Sequence, residues 1–98
     1  MKWKNAREAW LSQIAADTQV KDYQFKVAYF LASRVDRNTH EIWPQATKIA
    51  RRFGLKTAAV TSAIDWLVKR SHLQLLEASR SGMNPNCKIY RPIVRGQA

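Results

Sequence analysis

Lys48, Arg51, Arg52 and Lys56 follow one another within nine positions, and Lys69, Arg70, Arg80 and Lys88 continue the series downstream. Cations at this density do one kind of chemistry well, which is to neutralise a polyanion. The chain carries 17 Lys and Arg against seven Asp and Glu, a formal net charge of +10 over 98 residues. Residues 1–43 hold seven basic and five acidic side chains, whereas residues 44–98 hold ten basic and two acidic. Solubility alone needs only a modest net charge, so the second half is expected to meet an anionic partner. Other chemistry is poorly provided for. There are no paired carboxylates, no Ser–His or Cys–His spacing and no phosphate loop, so no enzymatic activity is expected. His40 and His72 stand 32 positions apart with no second ligand in reach by spacing, so neither a metal nor another cofactor is expected. Cys87 is the only cysteine, which excludes an internal disulfide, and it reads as a strand residue rather than a nucleophile.

The stretch from Pro44 to Leu73 must position most of these cations. Ala46, Ile49, Ala50 and Phe53 fall at i, i+3, i+4 and i+7, the spacing of one helical face. Val60, Ile64, Leu67 and Val68 repeat the pattern at i, i+4, i+7 and i+8. Between the runs, Gly54 can take the positive φ that ends a helix, and Thr57 is expected to cap the next with its hydroxyl. Two helices joined by so tight a turn form a helix-turn-helix.

Around that pair, Asn5 to Ala16 reads as an Ala-rich helix on which Trp3, Ala6, Trp10 and Ile14 share a stripe. Arg7, Glu8 and Gln13 are expected away from the stripe, which can pack on this domain or on a second copy. With Asp17-Thr18 as a cap, Gln19 to Val35 reads as a second helix burying Tyr23, Val27, Phe30 and Leu31, with Lys21, Asp22, Gln24 and Lys26 mostly outside. Residues 36–40 form a polar turn, with Asn38 suited to the left-handed conformation. Glu41-Ile42-Trp43 is a short extended piece stopped by Pro44, which suits the start of the following helix. His72 to Ala78 reads as a strand, with Leu73 and Leu75 on one side. Residues 80–86 form a Gly/Asn/Pro turn, and Cys87 to Val94 reads as a second strand that Pro92 confines to a sheet edge. Asp65 is expected as a surface charge or as an i, i+4 partner of Lys69. Trp66, beside the core stripe, suits packing on the first helix or a protein contact.

Helix, helix, short strand, helix, turn, helix, strand, loop, strand is an order that resembles a winged helix-turn-helix domain. The local wording agrees. Val27-Ala28-Tyr29-Phe30-Leu31-Ala32-Ser33-Arg34-Val35-Asp36, Trp43-Pro44-Gln45, Ile49-Ala50 and Gly54-Leu55-Lys56 are similar to a group of small bacterial winged helices. Val60, Ile64, Leu67 and Asn86-Cys87-Lys88-Ile89-Tyr90 continue the match, which covers roughly residues 23–93. Such domains occur in phage and plasmid replication initiators, small regulators and excisionases of integrative elements. The resemblance implies an α+β, mainly α fold, a winged helix-turn-helix with a C-terminal β-hairpin wing, to which the Trp-containing N-terminal helix, outside the match altogether, is an extra element. Residues 1–19 would be the N-terminal helix, for packing or oligomer contact, 20–95 the winged domain and 96–98 a tail. Two positions depart from the pattern. The recognition helix lacks internal Arg or Lys, and Ser71 stands where glycine is usual.

On that resemblance, Lys56 to Ser62 open the recognition helix and enter the major groove of double-stranded DNA. Thr57, Thr61 and Ser62 would reach base edges or phosphates, and Ala58 and Ala59 a thymine methyl. Lys48, Arg51 and Arg52, with Lys69 and Arg70 at the far end, would set register on phosphates. Arg80 to Lys88 would be the wing, with Arg80 or Lys88 reaching the backbone or minor groove. The expected function is an architectural or regulatory factor of a mobile genetic element: an excisionase-type directionality factor in DNA recombination or a small transcription regulator. A replication-initiator module is the near alternative, and a protein-interaction winged helix the alternative of another class. A second copy or a recombinase are further expected partners. No apolar run approaches the ~20 residues of a membrane span, and the N-terminus lacks the apolar core of a signal peptide. A cytoplasmic, nucleoid-associated protein is the expectation.

Overall fold

The computed structural model describes residues 3–77 and 88–95. Four helices, α1 (Trp3–Ala15), α2 (Asp22–Ala32), α3 (Ala46–Phe53) and α4 (Thr57–Lys69), precede two strands, β1 (Leu73–Glu77) and β2 (Ile89–Pro92). The strands pair antiparallel, Leu73 opposite Pro92 and Leu75 opposite Tyr90, with a register shift between Leu75 and Glu77. The short extended piece before α3 contributes one bridge to this sheet. Ile42 and Tyr90 exchange both backbone hydrogen bonds, at 2.8 and 3.0 Å. The architecture is α+β, mainly α.

The core follows the helical spacings. Ile49 and Ala50 of α3 are buried with Val60, Ala63, Ile64 and Leu67 of α4 against Val27, Ala28, Leu31 and Ala32 of α2. Phe30 and Phe53 meet edge to face at 6.0 Å and tie α2 to α3. α1 closes the same core with Trp3, Ala6, Trp10 and Ile14. Both tryptophans also anchor α1 by hydrogen bonds: Trp3 Nε1 donates to the Ala32 carbonyl and Trp10 Nε1 to that of His72, each at 2.8 Å. The two rings touch edge to face at 5.8 Å.

Several local expectations need correction. α2 begins at Asp22 rather than Gln19 and ends at Ala32 rather than Val35. Its first turn is closed by the buried Gln24, whose Oε1 accepts from the Lys21 N–H at 2.9 Å. Gln24 is therefore inside for a polar reason that apolar spacing does not register. Asp17 does not cap α2; its carboxylate turns to Arg70 and His72. In the 36–40 turn, Asp36 Oδ1 accepts from the Asn38 and Thr39 N–H groups, and His40, not Asn38, takes the left-handed conformation at φ 58°. Those two N–H donors also hold the Asp36 carboxyl below the usual carboxylate range. α3 starts at Ala46 with Gln45 at its cap, so Pro44 precedes the helix instead of opening it. Gly54 takes φ 65° and ends α3 as expected. Lys56, not Thr57, occupies the N-cap of α4, and no side chain caps it there. Thr57 is the first helical residue, and its carbonyl accepts from the Thr61 hydroxyl at 3.2 Å. β1 starts at Leu73, and Leu75, expected beside Leu73 on one side, is exposed because the core ends before it.

Candidate nucleic-acid interface

The outward face of α4 is built from small side chains. Thr57, Ala58, Thr61, Ser62, Asp65, Trp66 and Lys69 line an open cleft of about 540 Å³ that Gln24 of α2 completes. Thr57, Ala58, Thr61 and Ser62 are exposed, whereas Ala59 is half-buried and turns towards the helix flank. Asp65 makes no ion pair with Lys69: among the described residues the ion pair is Arg70–Asp17, and His72 meets the same carboxylate through a hydrogen bond. Asp65 is thus an exposed carboxylate, and its charge, after burial, pushes the Tyr90 phenol up.

Cations are exposed on both helices of the pair. Lys48, Arg51, Arg52, Lys56 and Lys69 are all exposed and lie outside the ion pair of the described residues. Their charges are available to an anion at little desolvation cost. Arg70 differs. Its Nε and Nη2 donate to the two Asp17 carboxylate oxygens at 2.9 and 2.8 Å, so most of its donor fork is committed inside the molecule. Lys88 is exposed just before β2. Arg80 and the rest of the expected wing through Cys87 lie outside the described residues.

A second polar cluster escapes sequence reasoning. His72, expected to open a strand, is instead a fully buried turn residue behind α4. Its Nδ1 faces Gln13 Nε2 at 2.8 Å and Arg95 Nη2 at 3.0 Å, and its Nε2 faces Asp17 Oδ2 at 2.9 Å. Two donors at Nδ1 require a lone pair there, so the ring carries its proton on Nε2 and donates it to Asp17. Burial first, then the Arg95 and Arg70 charges, hold the His72 pKa down against the opposing pull of Asp17. The Arg70 guanidinium, with the Gln19 N–H and His72, holds the Asp17 carboxyl far below the usual range. Gln13, expected at the surface, also donates to the Ile93 carbonyl at 2.9 Å and accepts from the Arg95 N–H at 2.7 Å. Trp66 covers the cluster, its ring 5.8 Å from the imidazole. Trp66 therefore joins the outward face of α4 to this knot. With the lone pair and the proton of the imidazole both engaged, His72 serves packing and not substrate chemistry. The only hint of the knot in the sequence is Gln13 and Asp17 at i, i+4.

No group of three His, Cys, Asp or Glu that could hold a metal occurs among the described residues, nor does any helix long and apolar enough to cross a membrane. No family model, curated protein or solved structure matches the chain.

Proposed function

We propose that the chain binds double-stranded DNA as a winged helix-turn-helix, without enzymatic activity, placing α4 in the major groove and the flanking cations on phosphates. The observation that carries this reading is a row of small exposed side chains on α4 with Lys56 and Lys69 at the two ends of that helix and Lys48, Arg51 and Arg52 exposed on α3, none of them neutralised by a described carboxylate. Small side chains allow a helix to approach base edges closely, and the flanking charges supply affinity. The Ile42–Tyr90 bridge fits the same reading, since it ties the segment before α3 to the sheet from which a wing would extend. The biological role that accompanies this reading is regulation or recombination in a mobile element, which rests on the resemblance alone.

A salt titration on a duplex tests it. Five phosphate contacts would give log K against log salt a slope of roughly −4.5. Exchanging Arg51 and Arg52 together for Ala should weaken all sequences alike and make the slope shallower by about two. Exchanging Thr61 and Ser62 together for Ala should instead change the preference between sequences. Salt-insensitive or undetectable binding would sink the reading in favour of a protein-interaction module.

A further inference from the structure

Trp43 is one of the few large apolar side chains left at the surface, 46% exposed. It is not there through looseness. In the extended piece before α3, alternate side chains point to opposite faces. Ile42 points inward at 1% exposure and is pinned by two backbone hydrogen bonds to Tyr90. Its neighbour Trp43 must then point outward, and Pro44 restricts the backbone on the other side. The indole is thus presented at a fixed place. Beside it lies a cleft of about 270 Å³ with Phe30 and Leu31 in its lining and Arg34, Gln45 and Lys48 among its polar members. No acidic side chain lines it. The Arg34 guanidinium rests over the Phe30 ring at 5.0 Å, which orients the cation without neutralising it.

An outward aromatic face with two cations and one amide around it complements the backbone edge of a duplex, where an apolar deoxyribose lies between two phosphates. Lys48 lines this cleft and sits on α3, the helix that packs directly on α4. We propose that Trp43, with Lys48 and Arg34, forms a second contact to the DNA strand outside the groove occupied by α4. The indole lies against one nucleotide, and the two cations take the phosphates on either side of it. This inference rests on the DNA-binding reading.

The test measures duplex affinity and its salt slope for the full chain and for Trp43→Ala, Trp43→Phe and Lys48→Ala, with circular dichroism to confirm folding. Trp43→Ala should weaken binding roughly five-fold, the scale of losing about 40 Å² of apolar contact with a sugar, and leave the slope unchanged. Trp43→Phe should recover most of the loss, and Lys48→Ala should make the slope shallower by about one. Hydroxyl-radical protection at one edge of the footprint should disappear with Trp43→Ala. Unchanged affinity in Trp43→Ala, as a protein-docking role for this face would give, overturns the proposal while leaving the DNA-binding reading intact. An equal loss in Ala and Phe variants overturns it as well, because the ring itself would then not be the contact. Failure of the unsubstituted chain to bind any duplex removes both.

Discussion

At the scale of single residues, His72 sets the conditions under which this fold holds. The buried imidazole is neutral, and a proton added at Nδ1 would face the donors of Gln13 and Arg95. Its pKa is lowered in the folded chain, so protonation favours the unfolded state, where the ordinary value is 6.5. The stability contributed by the neutral ring is therefore present above that value and is lost as pH falls below it. Asp17 has the same sign at lower pH, because its carboxyl is also depressed. Thermal denaturation should give a lower Tm at pH 5 than at pH 7.5, and a flat profile over that window would contradict the hydrogen-bond assignment. Asp17→Ala should cost about 2 kcal/mol from the unpaired His72 N–H alone and should be read by urea denaturation.

At the scale of elements, two helix ends carry a left-handed residue, and only one of them is glycine. Gly54 ends α3 at φ 65° with nothing within 4 Å of the place a Cβ would occupy. Gly54→Ala should cost about 1 kcal/mol through backbone conformation rather than through a clash. Ser71, just after α4, takes φ 63° with a side chain. Ser71→Gly should relieve that strain and stabilise by about 0.5 kcal/mol once the added freedom of the unfolded chain is counted. Chemical denaturation of the two variants should give shifts of opposite sign. The same elements mark how much was legible in the sequence. Ile49 and Ala50 on α3, and Val60, Ile64 and Leu67 on α4, are buried where their spacing put them. Gly54 was equally readable, and so was the Trp3–Trp10 stripe, though its spacing left open whether it packs on this domain, as it does, or on a second copy. Gln24 was not, because its burial serves a backbone N–H three positions away. The His72 knot was not either, since His72 lies 23 to 59 positions from Arg95, Asp17 and Gln13 and only the folded chain brings them together. The cations around α4 could be counted in the sequence, but Arg70 could not be told apart from its neighbours until its partner Asp17 was placed 53 positions away.

At the scale of the whole molecule, a charge of +10 sits on a body whose longest dimension is 36 Å. That length is close to one helical turn of DNA, ~34 Å or about 10 base pairs. On the proposed DNA-binding reading, one bound copy would protect about 10 base pairs in a nuclease footprint, and a protected length near 20 would indicate two copies side by side. The knot that joins α1 to Arg95 has a consequence for synthesis. Gln13 is translated 80 residues before the carbonyl of Ile93 that accepts from it and 82 before the N–H of Arg95 that donates to it. Trp10 waits 62 residues for the carbonyl of His72. A ribosome that has delivered α1 to α3 has thus supplied the Ala32 carbonyl that Trp3 bonds but not the His72 carbonyl that Trp10 bonds. Of the described helices α1 is made before the other three, yet it finishes its bonding only with residue 95, when Gln13 meets the last of its partners.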